Sequence, residues 1–208
     1  AYKGIRGTAV TNYAGDKPSA VYGELWYDST NLDFKYQYLN VTSAGSWRTG
    51  NVMNTARNYL AGSNAGTQTA SIAFGGTPPI TGATESYNGT NWTEVNDLTN
   101  ARSALGGAGT STSALAFGGN SPGAVDETEV WNGTNWTEVN DLTTARDALG
   151  GVGASSTSAL AFGGNPPVRD ETESWNGTNW TEVNNLNDSR EWIAGAGDVS
   201  NTVAFGGQ

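Results

Sequence analysis

An all-β fold made from one unit used four times is the architecture this sequence predicts, and three repeating signatures predict it. The segment Asn88-Gly89-Thr90-Asn91-Trp92-Thr93-Glu94-Val95 recurs at 132–139 and at 176–183, a step of 44 residues each time. Ala-Phe-Gly-Gly closes on the pairs Gly75-Gly76, Gly118-Gly119, Gly163-Gly164 and Gly206-Gly207. A single arginine opens a Gly-rich run at Arg57, Arg102, Arg146 and Arg190. Strand-rich periods of about 40 to 50 residues mean a propeller or a related array, in which each unit buries its apolar face against its neighbours.

The third unit shows how each element arises. Residues 149–153 are small and Gly-rich, a strand able to lie close to neighbouring backbone. Residues 157–162 form a short apolar run closed by Gly163-Gly164, which reads as a buried inner strand. Beyond the Pro166-Pro167 loop, residues 171–175 alternate as a strand does, Asn176-Gly177 signals a hairpin because both residues tolerate positive φ, and residues 179–183 return. Four short antiparallel strands make one propeller blade. A parallel β-helix competes poorly, since its rungs are much shorter than 44 residues.

Complete units lie near 57–95, 102–139 and 146–183, and a fourth starts at Arg190 but ends at Gln208 after two strands. Trp47 precedes Arg57 by ten residues, the spacing of Trp92 to Arg102, so Trp47 reads as the fourth-strand Trp of a preceding unit and 33–38 as its third strand. The expected fold is therefore a four-bladed β-propeller over 31–208, its fourth blade made by 190–208 with 31–50 and closed by both termini. Closure removes the strand edges of an open array, and pairing of half-blades between chains is the alternative. Residues 1–30 stand outside as an N-terminal extended arm and strand, with 23–28 a strand and 4–13 another candidate. Residues 1–21 have no place in the ring, and an unpaired strand-former is expected to add to a sheet edge of a neighbouring subunit.

Composition narrows the function. With no Cys there is no disulfide framework or thiolate chemistry, and with no His the commonest general base and metal ligand is missing. A net charge of −10 argues against nucleic acid and anionic membrane surfaces. No apolar run approaches the length of a membrane span, and the start lacks an apolar signal core. Ala1 is small enough to follow a trimmed initiator Met, so it is expected to be the native amino terminus. The eight Trp, eight Tyr and five Phe supply the core of an otherwise small-residue chain, and Phe74, Phe117, Phe162 and Phe205 are expected to be buried.

A double glycine ending the second strand, an aromatic pair on the third and fourth (Tyr87/Trp92, Trp131/Trp136, Trp175/Trp180) and an Arg opening the next unit make residues 47–207 resemble Kelch repeats. The pair is five residues apart, closer than Kelch motifs usually have it, so the hairpin should be tight. The resemblance implies that Arg57, Arg102, Arg146 and Arg190 begin the strands lining a central shaft and converge near one mouth of the axis. Such a ring is a candidate site for a carboxylate, sulfate or phosphate. The plainer reading is a set of structural Arg–carboxylate pairs, with Glu94, Glu138 and Glu182 as partners. The segment 23–28, Gly-Glu-Leu-Trp-Tyr-Asp, followed by Phe34-Lys35-Tyr36, resembles a hairpin in tail and fibre proteins of aquatic bacteriophages, as do the units ending in Ala-Phe-Gly-Gly. That resemblance implies a virion or extracellular location and a homo-oligomer or filament.

Trp92, Trp136 and Trp180 are candidates for stacking on glycan rings, against a role in packing between blades. Asn88, Asn132 and Asn176 sit in Asn-x-Thr sequons and are candidate glycosylation sites, although the turn calls for Asn in any case. The clusters Asp126-Glu127-Glu129 and Asp170-Glu171-Glu173 read as weak Ca²⁺ sites or as a solvated edge. The turn at 86–92 resembles the Asp-box of sialidases with Asn in place of Asp, and that box is a folding element. Copper-oxidase relatives of Kelch propellers need Cys and His ligands that this chain lacks. The sequence thus points to no enzyme, no cofactor and no metal, no nucleic acid and no membrane insertion. It points to a structural or adhesive subunit that self-assembles through its arm, or alternatively to a soluble lectin-like propeller binding a cell-surface glycan.

Overall fold

The computed structural model describes residues 11–14, 25–36 and 50–208, which fall into two units, 1–49 and 50–208. Among the described residues every regular element is a strand. In the first unit β1 (Thr11–Tyr13), β2 (Leu25–Asp28) and β3 (Asp33–Tyr36) form one sheet in the order β1-β2-β3. β1 runs parallel to β2 and β3 antiparallel to it. The β2–β3 turn is an Asx turn: Asp28 Oδ1 accepts from Thr30 N at 2.9 Å and Asn31 N at 3.3 Å. The arm is therefore paired in part within its own chain, and the described part of 33–38 is bonded to β2. Residues 37 and 38 and Trp47 lie outside the described residues.

The second unit repeats one antiparallel meander. β4 (Ala61–Gly62), β5 (Ser71–Phe74), β6 (Thr84–Tyr87) and β7 (Trp92–Val95) make the first sheet. β8 (Gly106–Thr110), β9 (Ser113–Asn120), β10 (Ala124–Trp131) and β11 (Trp136–Glu138) make the second. β12 (Gly150–Ser155), β13 (Ser158–Phe162), β14 (Thr172–Trp175) and β15 (Trp180–Glu182) make the third. β16 (Ile193–Asp198) and β17 (Asn201–Gly206) make a fourth of two strands. The first strands β4, β8, β12 and β16 neighbour one another in that order.

The outer hairpins are tight, as the spacing predicts, but their turn works differently. Tyr87 pairs Trp92, Trp131 pairs Trp136 and Trp175 pairs Trp180, leaving loops of four residues. Positive φ falls on Gly89, Gly133 and Gly177, and no Asn of these loops shares it. Asn88 acts through its side chain instead, its Oδ1 accepting from Thr90 N and Asn91 N at 2.9 Å, and Asn132 and Asn176 repeat this.

Packing between sheets explains the Ala-Phe-Gly-Gly signature. Phe74 and Phe117 are buried and meet the fourth-strand Trp of the next sheet edge to face, Phe74 with Trp136 at 4.8 Å and Phe117 with Trp180 at 5.0 Å. The second glycine of each pair donates to the next arginine's carbonyl: Gly76 N to Arg102 O, Gly119 N to Arg146 O and Gly164 N to Arg190 O. At Gly75 a Cβ would sit 2.6 Å from Arg102 O with φ at +69°, so both sterics and backbone demand glycine there. Trp136 Nε1 donates to Thr84 Oγ1 and Trp180 Nε1 to Thr128 Oγ1, which ties the outer strands together.

The fourth sheet departs from this pattern, and with it one expectation fails. Phe205 is 52% exposed rather than buried, and a Cβ on Gly206 would meet nothing. No following arginine segment crosses this glycine pair among the described residues. Among the described residues the cluster joining the third and fourth sheets, Val152, Phe162 and Ile193, likewise lacks the two Trp found in each of the others.

Candidate functional site

The repeated arginines have a defined role in the second unit. Arg57 pairs with Glu85 at 2.7 Å, Arg102 with Glu129 at 2.6 Å and Arg146 with Glu173 at 2.8 Å, all with side chains essentially closed to solvent. The expected partners Glu94, Glu138 and Glu182 lie on the outermost strands, directly opposite these carboxylates in register, and are exposed. Each inner Glu also anchors the chain entering its sheet: Glu85 accepts from Asn54 N, Glu129 from Thr99 N and Glu173 from Thr143 N. The guanidinium adds a reach to the second strand, Arg102 Nη2 lying 3.4 Å from Ala116 O. One ion pair therefore fastens loop, second strand and third strand.

Arg190 stands apart, 43% exposed, with Asp188 at 3.7 Å and Gly206 O as its partners. The acidic cluster at 126–129 is divided in the same way: Glu129 is consumed by Arg102 while Asp126 and Glu127 stay half-buried. Burial pushes the Glu85 carboxyl up, but hydrogen bonds from Asn54 N–H, the Arg57 guanidinium and Thr55 N–H outweigh it and hold the group below its ordinary range. A folded value below the unfolded one gives stability that is complete above the unfolded pKa and lost as pH falls through the folded one. Urea midpoints should accordingly hold steady above about pH 5 and fall below about pH 4. Glu85→Gln should remove part of that acid dependence; an unchanged slope would show that Glu85 does not carry it.

The four repeats meet at a different set of residues. Two positions after each arginine stand Tyr59, Ala104, Ala148 and Trp192, all with positive φ between 51° and 54°. Ala104 N donates to Tyr59 O, Ala148 N to Ala104 O and Trp192 N to Ala148 O, each at 2.8 Å. With the next residue of each repeat, Leu60, Leu105, Leu149 and Ile193, they line one cavity of about 240 Å³. Left-handed backbone at four bulky or Cβ-bearing residues is uncommon and costs on the order of 1–3 kcal/mol at each. In the second, third and fourth repeats, crossing hydrogen bonds to the arginine carbonyl and from the residue two positions on hold the segment there. Tyr59 and Trp192 are 54% and 48% exposed, their ring centroids 5.0 Å apart.

The remaining candidates fall elsewhere. Trp136 and Trp180 are buried between sheets, and Trp92 is half-buried against Tyr87 at 5.0 Å. Asn88, Asn132 and Asn176 are exposed at the hairpin tips. Sequence reading missed Tyr59 and Trp192, although a signal was present: the position after next to the arginine reads Tyr, Ala, Ala, Trp across the repeats. Among the described residues no helix is long and apolar enough to cross a membrane. No family model matches this chain, and a search of curated proteins finds no similar sequence.

Proposed function

We propose that this chain is a non-catalytic structural and adhesive subunit of a virion appendage or extracellular fibre. In this reading it is a four-bladed Kelch-like β-propeller that assembles with further copies through its N-terminal arm. The observation that carries it is the fourth sheet, which among the described residues has two strands where the others have four. Leu186, Asp188, Arg190, Ile193 and Ala204 line an open slot of about 190 Å³ beside this sheet. An exposed strand edge with apolar Val203 and Phe205 beside it is a template for another strand.

Residues 31–50 are the proposed occupant. Asn51 Nδ2 donates to Asn91 Oδ1 as Asn96 Nδ2 does to Asn135 Oδ1 and Asn140 Nδ2 to Asn179 Oδ1, and Asn54 N meets Glu85 as Thr99 N meets Glu129. The chain thus arrives at the first repeat as it does at the second, where it comes from the outer strand of the preceding sheet. In this reading the preceding sheet for the first repeat is the fourth. β3 is an edge strand of its own sheet, as is β17.

The other edge of the N-terminal sheet among the described residues is β1, the edge proposed to meet a second copy. A head-to-tail contact of this kind repeats without limit unless it closes into a ring. Deleting residues 1–21 tests the assembly: size-exclusion chromatography and electron microscopy should show the full chain as multimers or filaments and the truncated chain as monomers. Unchanged assembly in the truncated protein overturns this reading. A second reading, a soluble glycan-binding propeller, draws on the exposed aromatic pair beside the axial cavity.

A further inference from the structure

We infer that Tyr59 and Trp192 form a stacking platform for one neutral sugar ring, seated over the cavity where the four repeats meet. The inference rests on the adhesive part of the proposed function and names its ligand class. Ala104 and Ala148 occupy the same position with the same left-handed backbone, so the fold itself does not call for aromatic residues there. In the first and last repeats two large aromatics hold that strained backbone and remain about half exposed, while Trp131, Trp136, Trp175 and Trp180 are buried. Strain of this kind concentrates at ligand sites.

The chemistry of the site selects the ligand. Leu60, Leu105, Leu149 and Ile193 line it together with the polar backbone around them, and among the described residues no charged side chain does. Arg57, Arg102 and Arg146 are tied to carboxylates, and the chain carries a net charge of −10, so an anionic ligand has no partner here and is repelled at a distance. A volume of about 240 Å³ is below that of a drug-sized pocket and suits a single ring. The backbone carbonyls of the lining residues are acceptors for hydroxyl groups. That of Trp192, the last in the series, receives no N–H from a following repeat among the described residues. An apolar face against tilted aromatic rings, with hydroxyls toward carbonyls, describes a neutral pyranose.

Saturation-transfer NMR and calorimetry on the full chain with methyl glucoside, methyl galactoside, methyl mannoside and N-acetylglucosamine provide the test. At least one should bind, with transfer to Trp192. Tyr59→Ala and Trp192→Ala place at these positions the residue already present at 104 and 148, so both should fold normally. Each should weaken binding about tenfold or more, the loss of one aromatic contact, whereas Tyr59→Phe should retain it. Absence of binding by all four sugars overturns the inference, as does binding that both alanine variants leave intact. An aromatic patch that instead joins two copies would show as a dimer dissociated by Trp192→Ala without sugar, and this also overturns it. Sugar binding is read separately from assembly, so loss of filaments on deleting the arm leaves this result independent.

Discussion

Glu129→Ala should lower the stability of the protein by about 3–5 kcal/mol, because it leaves a fully buried guanidinium without its counter-charge. Arg102 has no solvent exposure and donates to Glu129 at 2.6 Å, and the carboxylate also accepts from Thr99 N at 2.7 Å. Removing the carboxylate therefore strands a cation and a backbone donor together. Glu138 sits directly opposite Glu129 on the neighbouring strand but is exposed, so Glu138→Ala should change stability by no more than about 0.5 kcal/mol. Replacing Arg102 and Glu129 together by Met and Leu should recover much of the loss, since no charge then remains to be desolvated. Urea denaturation of the three variants decides the matter. Equal effects of Glu129→Ala and Glu138→Ala would show that the buried pair is not what fastens the sheet.

Phe117→Ala should cost about 3–5 kcal/mol, as deletion of a fully buried Phe does. The ring enters a slot lined by glycine: a Cβ on Gly151 would lie 2.6 Å from it, and one on Gly106 would overlap it. Glycines have no side chains to swing into the vacated space, so the cavity stays open. Phe205 is the same residue of the fourth repeat, and its response tests the proposed ring closure. With the fourth sheet closing on the first as each earlier sheet closes on the next, Phe205→Ala should approach the cost of Phe117→Ala. A shift within about 0.5 kcal/mol would mean that Phe205 stays at the surface and would overturn the closure. Phe117→Ala unfolding at the wild-type midpoint would remove β9 from the core.

Much of the architecture was legible because its causes are local. The 44-residue period, the apolar run before the glycine pair and the five-residue aromatic spacing located the four strands of the third repeat to within two residues, as β12 to β15 show. The hairpin was foreseen, but its chemistry was not. Asn-Gly in a two-residue turn and Asn-Gly-Thr-Asn in a four-residue Asx turn begin with the same dipeptide, and register across the strands separates them.

By itself, the sequence determined that this protein is an all-β repeat with one arginine per unit. Periodicity is a property of the chain, and side-chain alternation and turn chemistry act over a few residues. Tertiary structure decided which carboxylate each arginine takes. Glu85 and Glu94, Glu129 and Glu138, and Glu173 and Glu182 are opposite pairs in register, and the guanidinium meets the member on the third strand. It also decided that Tyr59 and Trp192, 133 positions apart in the chain, would share one cavity. Both outcomes depend on how successive sheets cross the arginine segment, and such crossings are set by packing between repeats rather than by any pattern within one.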